Sequence, residues 1–501
     1  MSLLAVDIGS STCKAMVFAT SGEILAQHSS SYAPEFPRAS FAEMDPEKFW
    51  NAVCSSSRAV VKNLRDPVHA VGLSSHGETF VAVDSHGKPA TNAILNQDNR
   101  AIQESMWCEE VIGRQALFEI TGLFAHPMYP IPKILWLRKH EPEIFAAAKS
   151  FLPLIGYLLL KMGLRPYVDY SLASRFLAFD ILKHSWSDEI LSAAELDKDR
   201  LPIPVAAGTI AGKLNAEAAG HLGLSPGTPV VLGGHDQPCG ALGSGVIGGG
   251  RVSDSIGTYE CLLAASDAPS LNGKALAASL NSYCHVVPDK FVTLAYFPSG
   301  IMVKWFHDLL YAKSGEVPSN ALAGNIETNH YAYLEANAPE GPTGLCITPH
   351  LIGTCNPEFN PHVRGLIAGL GPGTDRTHIY KGILEGLACE LSIVAGVLAE
   401  AVGDFEDIYV TGGGTRSVLG LQLRAALTGC RLHVMSKQEA VCLGTAILAG
   451  VAVGEYANIS QAIATLVQES AVVTPNNAIC ASYRDQLKRY KGLRSAAVQQ
   501  A

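Results

Sequence analysis

Two aspartates stand where short apolar runs end, and the residues around each could serve a phosphoryl or hydroxyl ligand. Asp7 closes the run 3–6 and opens into Ile8-Gly9-Ser10-Ser11-Thr12. A loop of small residues between two strands turns backbone N–H groups and hydroxyls outward, which suits an anion. Lys14, at its far end, offers a positive charge. Asp236 follows the run 229–232 and Gly233-Gly234-His235, at a strand-to-helix corner of the kind where parallel sheets gather ligand groups. A carboxylate there can take a proton from a hydroxyl, or it can simply cap the helix that 237–242 begins. Gly243, Gly245 and Gly248 spell G-x-G-x-x-G, but Gly249, Gly250 and Arg251 follow in place of a helix. A dinucleotide pyrophosphate needs that helix N-terminus, so the fingerprint is rejected. Ile256-Gly257-Thr258 then supplies a second Gly-Thr loop.

Polar residues also collect at two other strand ends. His76 and Glu78 lie between the expected strands 68–73 and 80–83, and Gln97, Asp98 and Arg100 follow 93–95. Such groups can hydrogen-bond a polyhydroxylated ligand, or form a solvated rim. Residues 408–410 read as a strand, Gly412-Gly413-Gly414 as a loop and 417–427 as a helix, the order a nucleotide pocket needs.

The elements that must position these groups follow from pattern. Asp45-Pro46 reads as an N-cap with Pro at N1, and apolar residues from Phe49 to Leu64 recur at helical spacing behind it. Residues 101–200 read as mostly helical, with 151–160 as the longest apolar run, half a membrane span. Residues 377–402 form the clearest helix, and 440–453 a helix whose Gly444, Ala446, Ala449 and Gly450 allow close packing. Ile8-Gly9-Ser10 with Cys13 matches Ile256-Gly257-Thr258 with Cys261 in spacing, an echo expected of two domains of similar topology sharing a cleft.

At 501 residues the chain is too long for one core, and two domains of about 250 residues are expected. A net charge of −9 argues against nucleic acid, because phosphate contacts need clustered Lys and Arg. The 12 cysteines form no C-x-x-C pair, which excludes a zinc ribbon and suggests reduced thiols. The start, MSLLAVDIG, has no basic n-region, so a cytoplasmic protein is expected.

Taken in order, DIGSSTCK, SSHGET, NQDNR, GGHDQPCGALGSG, SIGTYE, TGGGTR and EAVCLGTAILAG resemble the FGGY family of carbohydrate kinases, from Asp7 to about Tyr456. The resemblance implies an α/β chain of two ribonuclease-H-like (actin/hexokinase-like) domains, 1–246 and 247–490, flanking a catalytic cleft. It implies Asp236 as general base and Asp7 beside Mg²⁺, held through water. Gly9, Ser10, Ser11, Thr12 and Lys14 match the first phosphate loop, Gly257 and Thr258 the second. Gly412, Gly413, Gly414 and Gln422 fall on the adenosine side. His76, Glu78, Asp98 and Gln237 would bind substrate. Some positions depart from the pattern. Gly77 stands where glycerol kinase has Arg, Asn96 where Trp is usual, and Gly353-Thr354-Cys355-Asn356-Pro357 replaces a charged loop. Gly420-Leu421 replaces Trp-Asn, and Ala426 an Asp. The space left at Gly77 favours a ketopentose such as xylulose, or a four- to six-carbon polyol, over glycerol.

The expected reaction is ATP- and Mg²⁺-dependent phosphorylation of a sugar or polyol hydroxyl, with no nucleic-acid or membrane partner and a homodimer as the assembly. The rivals are a nicotinamide-dependent oxidoreductase built on 408–436, with Glu439 as the ribose acid, and a non-catalytic actin-like ATP-binding protein.

Overall fold

The computed structural model describes residues 1–311 and 326–500. Six strands form the first sheet: β1 (Ser2–Ile8), β2 (Thr12–Ala19), β3 (Ile24–Ser31), β4 (Val68–Ser75), β5 (Ile210–Lys213) and β6 (Pro229–His235). Their order is β5-β6-β4-β1-β2-β3. β6, β4 and β1 run parallel, and the outer pairings are antiparallel. The central strands are buried almost throughout, as continuous apolar runs are when helices cover both faces. Helix α1 (Pro46–Val61) covers one face; the Asp45 carboxylate accepts the Glu47 N–H at 3.0 Å, and Phe49, Trp50, Val53 and Val60 turn inward. Helix α2 (Asp236–Gly243) leaves the end of β6.

Seven strands form the second sheet: β7 (Val252–Ile256), β8 (Tyr259–Ser266), β9 (Asn281–Cys284), β10 (Phe291–Pro298), β11 (Asp407–Thr411), β12 (Arg431–Met435) and β13 (Glu469–Val473). Their order is β9-β10-β8-β7-β11-β12-β13. In both sheets, therefore, a first strand begins two successive antiparallel pairings on one side and two successive parallel pairings on the other. The echo at Ile8 and Ile256 marks the turn after that first strand in each. Its register is not repeated, since Ile8 pairs with Cys13 but Ile256 pairs with Glu260.

Helix α3 (Arg376–Val402) is capped by Asp375, which accepts the Thr377 and His378 N–H groups, and it buries Ile383, Leu387, Leu391 and Val394. By length and hydropathy it could cross a membrane, yet 72% of its apolar window is buried in the protein. Helix α4 (Val418–Thr428) follows the glycine loop after β11.

A cut between 246 and 247 separates the two sheets in sequence, but helix α5 (Ala440–Ala452) crosses back to pack on β1, β4, β6 and α2. Cys442, Leu443, Ala446 and Ala449 share a core with Leu3, Ala5, Ala70 and Val231. The approach is close enough to demand glycine. A Cβ on Gly444 would lie 1.9 Å from the Cys239 carbonyl oxygen, and one on Gly243 would lie 1.9 Å from that of Ala440. The first sheet is thus completed by a helix far away in sequence.

Candidate active site

Asp7 and Asp236 stand at the carboxyl ends of β1 and β6. Asp7 lies opposite Ser74 in the parallel β1–β4 pairing, and Ser74 donates its hydroxyl to Oδ1 at 3.1 Å. Burial raises the Asp7 carboxyl to about 6, against the lowering effects of Ser74 and Lys14. Asp236 is the first residue of α2 rather than its cap, which is His235. It accepts the Gln237 N–H at 2.7 Å and keeps part of its side chain exposed. Burial first, then the charges of Asp7 and Glu78, hold its pKa well above the usual carboxylate value.

The corner at Gly234 is held from behind. Gly234 has φ 127°, and a Cβ there would meet Ser171 Oγ at 2.7 Å and Val286 Cγ1 at 2.7 Å. Ser171 Oγ accepts the His235 N–H at 2.9 Å and itself donates to Asp169, the cap of helix Tyr170–Ser174. What reads in sequence as a polar interruption, Asp169 to Ser174, is this brace. Burial pushes the His235 imidazole well below its ordinary value, so the ring is neutral. Its Nδ1 lies 3.2 Å from the Tyr283 hydroxyl and its Nε2 3.2 Å from Asp236 Oδ1. With the Tyr283 O–H donating to Nδ1, Nε2 carries the ring proton and lies beside the carboxylate.

Three of the sugar-side positions are occupied from within the protein. His76 donates from Nδ1 to the Ile8 carbonyl at 2.9 Å and accepts the Thr79 hydroxyl at Nε2, 2.7 Å, so both nitrogens are spent inside the protein. Asp98 is fully buried and accepts the Ala42 N–H at 2.6 Å, the Arg100 N–H at 3.0 Å and the Arg100 guanidinium. It is a turn-holding ion pair with no lone pair left for a hydroxyl. At Gly77 there is no open space, because Arg175 Cγ and His235 Nε2 would each lie 3.1 Å from a Cβ placed there.

Glu78 is confined at φ 62°, in the left-handed region, and its Oε1 accepts Arg175 Nε at 2.5 Å. Arg175, a residue sequence reasoning passed over, thus sets a guanidinium beside Glu78. Lys133 was missed as well. Fully buried, it donates to the Leu95 carbonyl at 2.6 Å and lies 3.5 Å from that of Glu78, and burial lowers its ammonium to about 7. The capping pattern Asp169-x-Ser171 was the only signal in the sequence for the Arg175 brace; for Lys133 there was none.

On the phosphate side, Gly9 N–H bonds the Thr12 carbonyl at 3.0 Å, and the Tyr32 hydroxyl donates to the Gly9 carbonyl at 2.6 Å. Ser10, Ser11 and Thr12 are at least partly exposed along this turn. Lys14, expected to bring a free charge, is paired with Glu439 at 2.5 Å. That pairing also removes Glu439 from the oxidoreductase reading. Gly257 and Thr258 are tied to the start of helix Gly300–Tyr311, their carbonyls accepting N–H groups from Gly300 and Ser299. Gly412 and Gly414 fold directly over Ile256: a Cβ on Gly414 would lie 2.1 Å from Ile256 Cγ2. Gly413 faces open space, and Gln422 is exposed on α4. Gln237 is partly buried beside Asp236.

The two sheets meet at this site: α2 touches β7 and β8, and Tyr283 of β9 reaches His235. A cavity of about 490 Å³ opens between α3 and helix Asn477–Gln500, lined by neither carboxylate, and Arg494 in its wall is already paired with Glu358 and Glu390.

Family models for the N-terminal and C-terminal domains of the FGGY family of carbohydrate kinases match residues 2–243 and 253–453. A gluconokinase from Bacillus licheniformis is 28% identical over 457 residues, covering 90% of this chain and 88% of its own length. A xylulose kinase from Staphylococcus xylosus is 24% identical, covering 98% and 99%. In structure, the ligand-bound xylulose kinase from Lactobacillus acidophilus superposes with a TM-score of 0.89 at 22% identity, covering 99% of this chain and 98% of its own.

Proposed function

The chain belongs to the FGGY family of carbohydrate kinases, with that family's two-domain actin/hexokinase-like fold, and from this premise we propose how its residues divide the work. As a carbohydrate kinase it transfers a phosphoryl group to a sugar hydroxyl. Asp236 is the general base, taking the hydroxyl proton as its oxygen attacks the γ-phosphorus of ATP. The observation that carries this is the pair Asp7 and Asp236, one on each of two parallel strand ends and close enough for the Asp7 charge to weigh on Asp236. His235, neutral and held by Tyr283, lies beside the carboxylate.

The turns at Gly9–Thr12 and Gly257–Thr258 present backbone N–H groups and hydroxyls to the triphosphate, and Gly412–Gly414 takes the adenosine side. Among the described residues no cluster of three or more His, Cys, Asp or Glu is built to hold a metal. Mg²⁺ keeps several waters and binds through few carboxylates, and Asp7 is the residue that would hold it. When bound, Mg²⁺ supplies charge neutralisation at the phosphate oxygens.

The acceptor is a small open-chain sugar: a ketopentose such as xylulose, or an aldonate such as gluconate. Glu78, Arg175 and Gln237 face it. The described cysteines are all free thiols, in keeping with the cytoplasmic setting we propose. ADP release by the purified protein with ATP and Mg²⁺, screened against pentuloses, tetritols and hexonates, tests the reading. ADP formation dependent on one of them supports it; nucleotide binding without turnover on any of them favours the actin-like alternative.

A further inference from the structure

Arg175 is 2% exposed, and its Nη1 is a buried nitrogen with no hydrogen-bond partner. Nε is committed to Glu78, at 2.5 Å. The guanidinium carbon lies 4.8 Å from the ring centre of Tyr283 and 5.2 Å from that of Tyr129. Aromatic faces on this group leave its in-plane edge as the direction for polar contact. Its stem lies against Gly77 together with His235 Nε2, and His235 Nε2 is 3.2 Å from Asp236 Oδ1. The Arg175 charge also acts on the reacting carboxylate of Asp236. The other polar groups there, His76 and Asp98, have no capacity left for a ligand.

We propose that Arg175, held by Glu78 and flanked by Tyr129 and Tyr283, is the specificity-determining residue of the acceptor site and receives the carboxylate of an aldonate. This deepens the kinase reading above and rests on it. A guanidinium edge presents its N–H groups in one plane, which matches the planar carboxylate better than it matches a hydroxyl or keto oxygen. A buried guanidinium N–H left without an acceptor is costly, and a carboxylate answers it with an ion pair as well as a hydrogen bond.

The test compares D-gluconate with D-glucitol, its C1 alcohol counterpart, and with D-xylulose, by ADP release with ATP and Mg²⁺. The proteins are wild type, Arg175→Lys, Arg175→Met and the double variant Arg175→Met/Glu78→Gln, which leaves no buried charge unpaired if the single variant fails to fold. Wild type should prefer D-gluconate, and D-gluconate should raise its melting temperature more than D-glucitol does. Losing Arg175 should cut the gluconate-to-glucitol ratio of kcat/KM by roughly 10- to 100-fold, with Lys retaining part of it. Wild type turning over D-xylulose in preference to D-gluconate overturns the carboxylate assignment and leaves the kinase reading standing. A ratio unmoved in both Met variants does the same. No acceptor-dependent ADP release from any of the three sugars removes the substrate reading on which the proposal rests.

Discussion

His235 and Asp236 are neighbours in the chain that also meet through their side chains, Nε2 to Oδ1 at 3.2 Å. Tyr283, from the second sheet, closes the line at the other ring nitrogen. The carboxylate assigned as base is therefore flanked by a neutral ring whose far side is fixed by the other half of the molecule.

Asp236→Asn should lower phosphorylation by about 10²-fold or more, the scale of general-base loss, while ATP binding measured by calorimetry stays near wild type. Near-full turnover would reduce Asp236 to a first-turn hydrogen-bond acceptor.

The pH profile should report the same group. Asp236 must be ionised to accept a proton, and burial with the charges of Asp7 and Glu78 holds its pKa well above 3.8. The acid limb of kcat/KM should lie correspondingly above the ordinary carboxylate range. Asp7→Asn removes one of the opposing charges, so the limb should move to lower pH even as the rate falls. Asp7 itself, raised to about 6, binds a proton in the folded chain that the unfolded chain has released above 3.8. Its contribution to stability is present at low pH and is lost as pH rises towards about 6, so Asp7→Asn should flatten that part of the melting-temperature profile. A limb and a profile identical to wild type would disconnect Asp7 from the site.

Asp98→Asn should act on stability rather than on substrate. It leaves the Arg100 guanidinium, buried between Glu43 and the rings of Phe41 and Trp136, short of one anionic partner. Disrupting a buried pair in this way costs about 3–5 kcal/mol at most. A lower denaturation midpoint with an unchanged KM for the acceptor is the expected result; a selective KM effect in a fully stable variant would restore Asp98 to the sugar site.

Gly444→Val should destabilise the chain by about 1–3 kcal/mol or more, since even a Cβ would lie 1.9 Å from the Cys239 carbonyl. Chemical denaturation measures it. Because α2 carries Asp236 and crosses α5 at this point, activity should fall in the fraction that remains folded. Wild-type stability would mean the helices separate without cost.

The strands, helices and glycine turns were legible in the sequence because they depend on local order: apolar runs for β1 and β6, a capped periodic pattern for α1, triple glycine between β11 and α4. Asp7 and Asp236 were legible for the same reason, each ending a run that had to be a buried strand. What the tertiary structure alone decided concerns partners. His76 and Asp98 carry the right chemistry in the right place, but whether a polar atom is free depends on what folding brings to it. Here those partners are the Ile8 carbonyl, Thr79, the Ala42 N–H and Arg100. Gly77 suggested a vacancy, and the side chain of Arg175, remote in sequence, occupies it. Lys14 suggested a free charge, and Glu439 neutralises it from the far end of the chain. Local pattern determines which groups stand at the strand ends. Contacts between segments distant in sequence decide which of those groups are left to meet a substrate.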